Sequence, residues 1–302
     1  MAKHYSVEEK IEILSFLDKG WGITEVAQYH SLSTSTVKRW RNQYQLKGIG
    51  GLKPIYPYPE TPENQHAADL YNAFLNYFLL DGTFLGYYSD ETRKLINEIL
   101  DANDAQLKIE PGDMDELAQA ATQNDYFGLN YYQSQFIKAY DGDNESSFNG
   151  TGEKGTSAFK FKGVGELVKK PGVEQTDWDW NIYPEGLYDI LKIVSERYPN
   201  SKTIYITENG LGFKDRYEGP DQVIEDDERI DYIDQHLDAI LKARKEGVNV
   251  QGYFVWSLQD QFSWANGYNK RYGLFYVDFE TQKREIKKSA QWFKELSNTI
   301  PQ

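Results

Sequence analysis

Apolar positions in the first fifty residues recur at helical spacing. Ser6 with Glu9 three residues on reads as a capping box, and Ile11, Leu14 and Leu17 form an apolar stripe ending at Gly20. A second short helix is predicted through Ile23, Val26 and Ala27, followed by a turn at His30–Leu32. Ser33 is placed to cap a third helix running to Tyr44. Val37, Trp40 and Tyr44 share one face of it, while Lys38, Arg39, Arg41 and Gln43 point elsewhere.

From about Ile55 the pattern alternates between helix and strand. A helix is predicted over Asn64 to Leu80, with Ala67, Leu70, Phe74, Tyr77 and Phe78 apolar, and Asn97-Glu98 falls inside a further helical run. A strand-like FGLNYY spans Phe127 to Tyr132, and a polar, Gly-rich loop follows from Asp141 to Gln175. Next come a helix near Pro184–Tyr198, a strand Lys202–Asn209, a helix over Asp227–Glu246 and a strand Val250–Leu258. An aromatic hairpin around Tyr272–Phe279 and a helix near Lys287–Leu296 close the series. Strands separated by helices imply parallel βα units.

Length and charge sharpen this division. The chain has 302 residues, room for one large domain or two modest ones. Its net charge is −14, which argues against binding nucleic acid or anionic membrane through overall charge. Up to Lys53, however, eight Lys and Arg face five Asp and Glu, a local +3 that leaves −17 for the remainder. Two domains are therefore expected, residues 1–53 and 54–302. In the first, a helix-turn-helix would set its third helix in a major groove, basic residues on phosphates. The stretch TEVAQYHSLSTSTVKRWRNQY, with the trailing GIGGLKP, resembles the DNA-binding head of insertion-element transposases and implies DNA as a partner. A small helical cap with a solvated basic face would share the pattern.

Cysteine is absent and the four histidines are scattered, so no thiolate or zinc spacing exists and no metal or cofactor is expected. The start MAKHYSVEEK lacks a signal-peptide core, no apolar run approaches a membrane span, and a cytoplasmic location is expected.

In parallel βα architectures, working residues sit at the C-terminal ends of strands. Asn130 and Tyr132 end the first such strand, Glu208 ends the second within Ile206-Thr207-Glu208-Asn209-Gly210, and Trp256 ends the third. A carboxylate behind an apolar strand, beside Asn and Gly, has the chemistry of a nucleophile on a sugar carbon, although a surface carboxylate ahead of an Asn-Gly turn would look alike.

ITENG, then VWSLQDQFSWANGYNKRYGLFYVDF, with FGLNYYQS upstream, resembles family 1 glycoside hydrolases. That resemblance implies a (β/α)8 barrel that cleaves β-glycosides with retention. It makes Glu208 the nucleophile, sets Asn130 and Tyr132 at positions that support sugar and nucleophile, and makes Trp256 the platform under the sugar. Ser263 stands where members acting on plain sugars usually carry Glu. With Lys270 and Tyr272 it forms a trio suited to a sugar 6-phosphate, similar to the 6-phospho-β-galactosidases. Trp264 is similar to the galactoside branch, and Arg271 is a neighbouring cation.

A retaining mechanism needs a second carboxyl group. The family's Thr-x-Asn-Glu-Pro-like motif is missing, since Pro follows neither Asn97-Glu98 nor Asn144-Glu145. The expected fold is thus an α/β, incomplete (β/α)8 barrel of about the last three strands, behind an all-α helix-turn-helix segment. An open sheet edge and little hydrolysis are expected from it. The competing expectation is a DNA-binding protein with a sugar-phosphate-binding remnant.

Overall fold

The computed structural model describes residues 13, 16, 21–34, 36–37, 52–215, 217, 219, 223–263 and 266–299. They fall into two compact units, Met1–Gly50 with Phe262–Gly267, and Gly51–Gln261 with Tyr268–Gln302.

In the first unit α1 (Ile23–Tyr29) starts at Gly22, whose N–H donates to the Glu25 carboxylate at 2.6 Å. Val26 and Ala27 are buried against Ile13 and Val37. Ser33 Oγ accepts the Thr36 N–H at 3.0 Å, the capping bond its position predicts. Lys38, Arg39 and Arg41, and most of the first and third predicted helices, lie outside the described residues.

The second unit holds two sheets. After β1 (Ile55–Pro57), α2 (Pro62–Asn72) is capped by Thr61 and continues through widened π-type turns at Ala73–Tyr77 and Asp81–Leu85. Next come α3 (Asp90–Ala102) and α4 (Asp113–Ala121), of which the latter left no apolar stripe and was not foreseen. β2 (Phe127–Asn130) and β3 (Gln135–Lys138) follow. The expected loop of 141–175 instead carries β4 (Glu145–Ser147), β5 (Ala158–Phe161) and β6 (Gly165–Val168), which pair antiparallel. Their faces are exposed or half-buried, so sequence hydrophobicity gave little sign of them. Together β1, β3 and β4–β6 form a five-stranded sheet in the order β1-β3-β6-β5-β4.

Three parallel strands, β2, β7 (Ile204–Asn209) and β8 (Val250–Val255), make the other sheet, in the order β2-β7-β8. The helices α5 (Pro184–Arg197) and α6 (Asp227–Lys245) connect them as a βα series requires. Leu187, Ile190, Leu191 and Val194 of α5 pack with Leu129, Ile204, Ile206, Ile240 and Val250 in the main core. On β8, Phe254 is 58% exposed, and Leu258 beyond it 65%, as expected of an open sheet. The hairpin is longer than its aromatic residues indicated, pairing β9 (Phe275–Val277) with β10 (Arg284–Ile286) before α7 (Lys288–Thr299).

An ionic network fastens these closing elements. Arg229 bonds Asp226 and lies 3.1 Å from Asp215, and Lys287 pairs with Asp215 and, at 2.9 Å, with Asp260. Burial works against the Arg229 charge, but Asp215 and Asp226 outweigh it and hold its pKa high. No described helix is long and apolar enough to cross a membrane.

Candidate active site

The ends of β2 and β7 meet through a register shift after Leu129 that sets Asn130 opposite Glu208. Tyr132, buried just past β2, donates its hydroxyl to the Glu208 carboxylate. Burial first, and then that bond, push the phenol pKa upward, so Tyr132 remains a donor. Thr207 donates to Asn130 Oδ1 at 2.6 Å, which orients the amide between the strands.

Asn209 does structural work behind this pair. Its Nδ2 donates to the Tyr131 carbonyl at 2.8 Å and to Tyr232 Oη at 2.9 Å, and its Oδ1 accepts from Tyr253 at 2.8 Å. Trp256 N–H donates to the Asn209 carbonyl at 2.7 Å, which brings the indole-bearing segment to the same strand end. Only glycine fits next: a Cβ on Gly210 would sit 1.9 Å from the Trp256 carbonyl oxygen. Thus Asn130, Tyr132, Glu208 and Trp256 are gathered where β2, β7 and β8 finish, although the strands themselves stop at Asn130, Asn209 and Val255.

Two residues without a sequence signal link this cluster to the predicted cation. The Trp180 ring lies 5.7 Å from that of Tyr132, and the Lys270 ammonium is 3.4 Å from the Trp180 centroid. Trp178 and Tyr272 complete the cage, each ring centroid 5.2 Å from Lys270 Nζ. Lys270 is only 1% exposed, and Nζ has no hydrogen-bond partner among the described residues. Burial, and then the neighbouring Lys53 charge, lower its pKa. Gly212 makes room for this side chain, because a Cβ there would meet Lys270 Cγ at 2.3 Å. The sole hint in sequence was a Trp-x-Trp pair in a polar stretch.

Ser263 belongs to the first unit, in a turn closed by its N–H to the Gly267 carbonyl at 2.8 Å; its hydroxyl lies 3.5 Å from Asn266 Oδ1. Trp264 lies outside the described residues. Arg271 is committed elsewhere, to Asp260 at 3.2 Å and the Val277 carbonyl at 2.7 Å. Among the described residues, the hydrogen bonds of the strand-end cluster involve no carboxylate but Glu208, and no group of His, Asp and Glu could hold a metal ion. The arrangement offers a positioned nucleophile, an aromatic wall and a buried cation.

Comparison with known proteins bears on this geometry. The profile of "Glycosyl hydrolase family 1" matches residues 26–300. The chain is 57% identical over 249 residues to 6-phospho-beta-galactosidase 1 of Streptococcus pneumoniae, covering 82% of this chain and 53% of that protein. The 6-phospho-beta-galactosidase of Clostridium acetobutylicum is 56% identical over 246 residues, 82% of this chain and 52% of the relative. Among solved structures, a family 1 b-glucosidase from Thermotoga maritima superposes with TM-score 0.66 at 34% identity, covering 82% of this chain and 49% of that one. A beta-glucosidase from Exiguobacterium marinum gives 0.68 at 30%, covering 83% and 51%. The chain thus spans about half the length of the curated relatives it matches.

Proposed function

The chain belongs to glycosyl hydrolase family 1, and we propose that it carries the nucleophile and phosphate-binding part of a retaining enzyme for 6-phospho-β-galactosides, such as lactose 6-phosphate, releasing galactose 6-phosphate. Glu208 attacks the anomeric carbon to form a glycosyl-enzyme, Tyr132 and Asn130 position nucleophile and sugar, and Trp256 lies under the ring. Ser263, Lys270 and Tyr272 hold the 6-phosphate, and Trp264 favours the galacto epimer. The observation that carries this reading is Glu208 held by Tyr132 at a strand end, with Trp180 between that tyrosine and a buried lysine that has no hydrogen-bond partner among the described residues.

No Asn-Glu-Pro occurs in these 302 residues, so the acid that protonates the leaving oxygen must come from elsewhere. Without it, turnover of natural substrate falls by about 10²–10⁴-fold. The test therefore uses a leaving group that needs no proton: a 2,4-dinitrophenyl 2-deoxy-2-fluoro-β-galactoside 6-phosphate. Mass spectrometry is expected to find the fluorosugar on the peptide containing Glu208, and none on a Glu208→Gln chain. Labelling elsewhere, or equal labelling by the unphosphorylated analogue, would refute the reading.

A second reading concerns residues 1–53, where the local +3 charge and the Ser33 cap favour a helix-turn-helix that binds DNA. The fused chain would then be a sugar-phosphate sensor or a product of gene interruption. Duplex DNA binding that declines steeply with salt supports it, and a flat anisotropy titration removes it.

A further inference from the structure

Lys270 does not stand alone as an unsatisfied donor. Trp178 is likewise 1% exposed, and its indole Nε1 has no hydrogen-bond partner among the described residues. Its ring centroid is 5.2 Å from the Lys270 ammonium. Buried polar groups almost always find a partner. Here two neighbouring buried groups, both able only to donate, lack one. What satisfies both at once is an acceptor with several oxygens and negative charge.

The surroundings have the same sign. Lys53, half-buried just ahead of β1, is fixed through its backbone: its N–H donates to Asn76 Oδ1 at 3.0 Å, and Asn76 Nδ2 donates to its carbonyl at 2.9 Å. Its charge is felt at Lys270, where it disfavours the ammonium form. Burial also pushes the Lys53 amine down, to about 8. On the other side of Trp178, Lys214 lies 5.7 Å from the ring, its Nζ bonded to the Gly152 carbonyl at 2.7 Å. Gly152 permits this approach, for a Cβ there would press on Trp178 Cε2 at 2.9 Å. Among the described residues, no carboxylate pairs with Lys53, Lys214 or Lys270. In a chain of net charge −14, a buried lysine and an adjacent buried indole N–H without acceptors among the described residues mark a place kept for an anion.

We propose that the Trp178 indole N–H joins Lys270 in holding the phosphate monoester of the substrate, as an anchor beyond the Ser263, Lys270 and Tyr272 trio. This presupposes the phosphate reading of Lys270 made above.

Isothermal titration calorimetry on the full chain tests this, with galactose 6-phosphate, inorganic phosphate and galactose as titrants. Wild type is expected to prefer galactose 6-phosphate over galactose by tenfold or more. Lys270→Met removes that preference. Trp178→Phe narrows it about fivefold. Trp178 is buried, so the variant is paired with a measurement on wild type: the Trp178 indole N–H resonance of 15N-labelled protein is expected to shift with galactose 6-phosphate and to stay in place with galactose. If Lys270→Met loses the preference while Trp178→Phe binds like wild type, or the indole resonance does not move, the added anchor is refuted and the phosphate reading stands. If Lys270→Met binds like wild type, or wild type shows no preference, both fall.

Discussion

Replacing Lys270 by Met should stabilise the empty protein while blunting its response to ligand. Met conserves length and apolar bulk, so the Trp178, Trp180 and Tyr272 cage stays filled. What is lost is a buried amine with no acceptor among the described residues, whose charged form costs several kcal/mol to desolvate. Against that stand cation–π contacts worth about 0.5–2 kcal/mol. The net expectation is a gain of about 1–2 kcal/mol, or about 2–8 °C in the melting temperature of a unit this large. Ligand reverses the order. At a galactose 6-phosphate concentration of about 100 times Kd, wild type gains about 2.7 kcal/mol. A charge-assisted bond worth about 1.5–3 kcal/mol is missing from the variant, so its gain at that concentration falls to about half or less. Differential scanning calorimetry with and without the sugar phosphate measures both. A Lys270→Met protein that melts below wild type in buffer, or that gains as much from ligand, would show that Lys270 is a packing residue.

Three further outcomes follow from the geometry. Gly210→Ala pushes a methyl into the Trp256 carbonyl and is expected to abolish labelling of Glu208, even where circular dichroism shows the fold retained; unchanged labelling would mean that the strand ends tolerate a shift. Asp260→Ala leaves Lys287 buried without one of its two acids and should cost about 3–5 kcal/mol in urea denaturation, whereas a loss below about 1 kcal/mol would demote the network to decoration. His236, fully buried with Nδ1 donating to the Tyr232 carbonyl at 2.6 Å, has its pKa pushed down to about 4 by burial. The unfolded chain takes up a proton near 6.5 and the folded chain does not, so stability is present above that pH and declines as pH falls from 6.5 towards 4. The decline is about 3 kcal/mol, and it should be absent in His236→Asn.

Much of the chain was legible from its residues. Periodicity located α5 and α6 to within a few residues, because each buries a regular apolar stripe, and it found α2, which runs on through its π-type turns, and α7, whose one buried residue is Ser289. It failed over residues 141–175, where β4 to β6 are short and partly exposed and so leave no alternating pattern. It also failed at α4, which has no buried residue. Asn130, Tyr132, Glu208 and Trp256 could be singled out as strand-end residues beside a tight turn. Arg271 is in sequence a neighbouring cation of Lys270, and its bonds to Asp260 and the Val277 carbonyl show it to be structural.

What the residues determined alone is chemistry and lineage: a carboxylate ahead of Asn-Gly, the family motifs in order, and a missing Asn-Glu-Pro. These are local in the chain, and a linear reading reaches them. What the tertiary structure decided is which distant groups meet. Lys270 stands about ninety residues from Trp178 and Trp180, and nothing in that spacing predicts contact. Folding sets its amine among their rings, and burial lowers the pKa of a lysine that has no hydrogen-bond partner among the described residues. Solvation and charge pairing depend on the neighbours in space, and so only the folded chain reveals them.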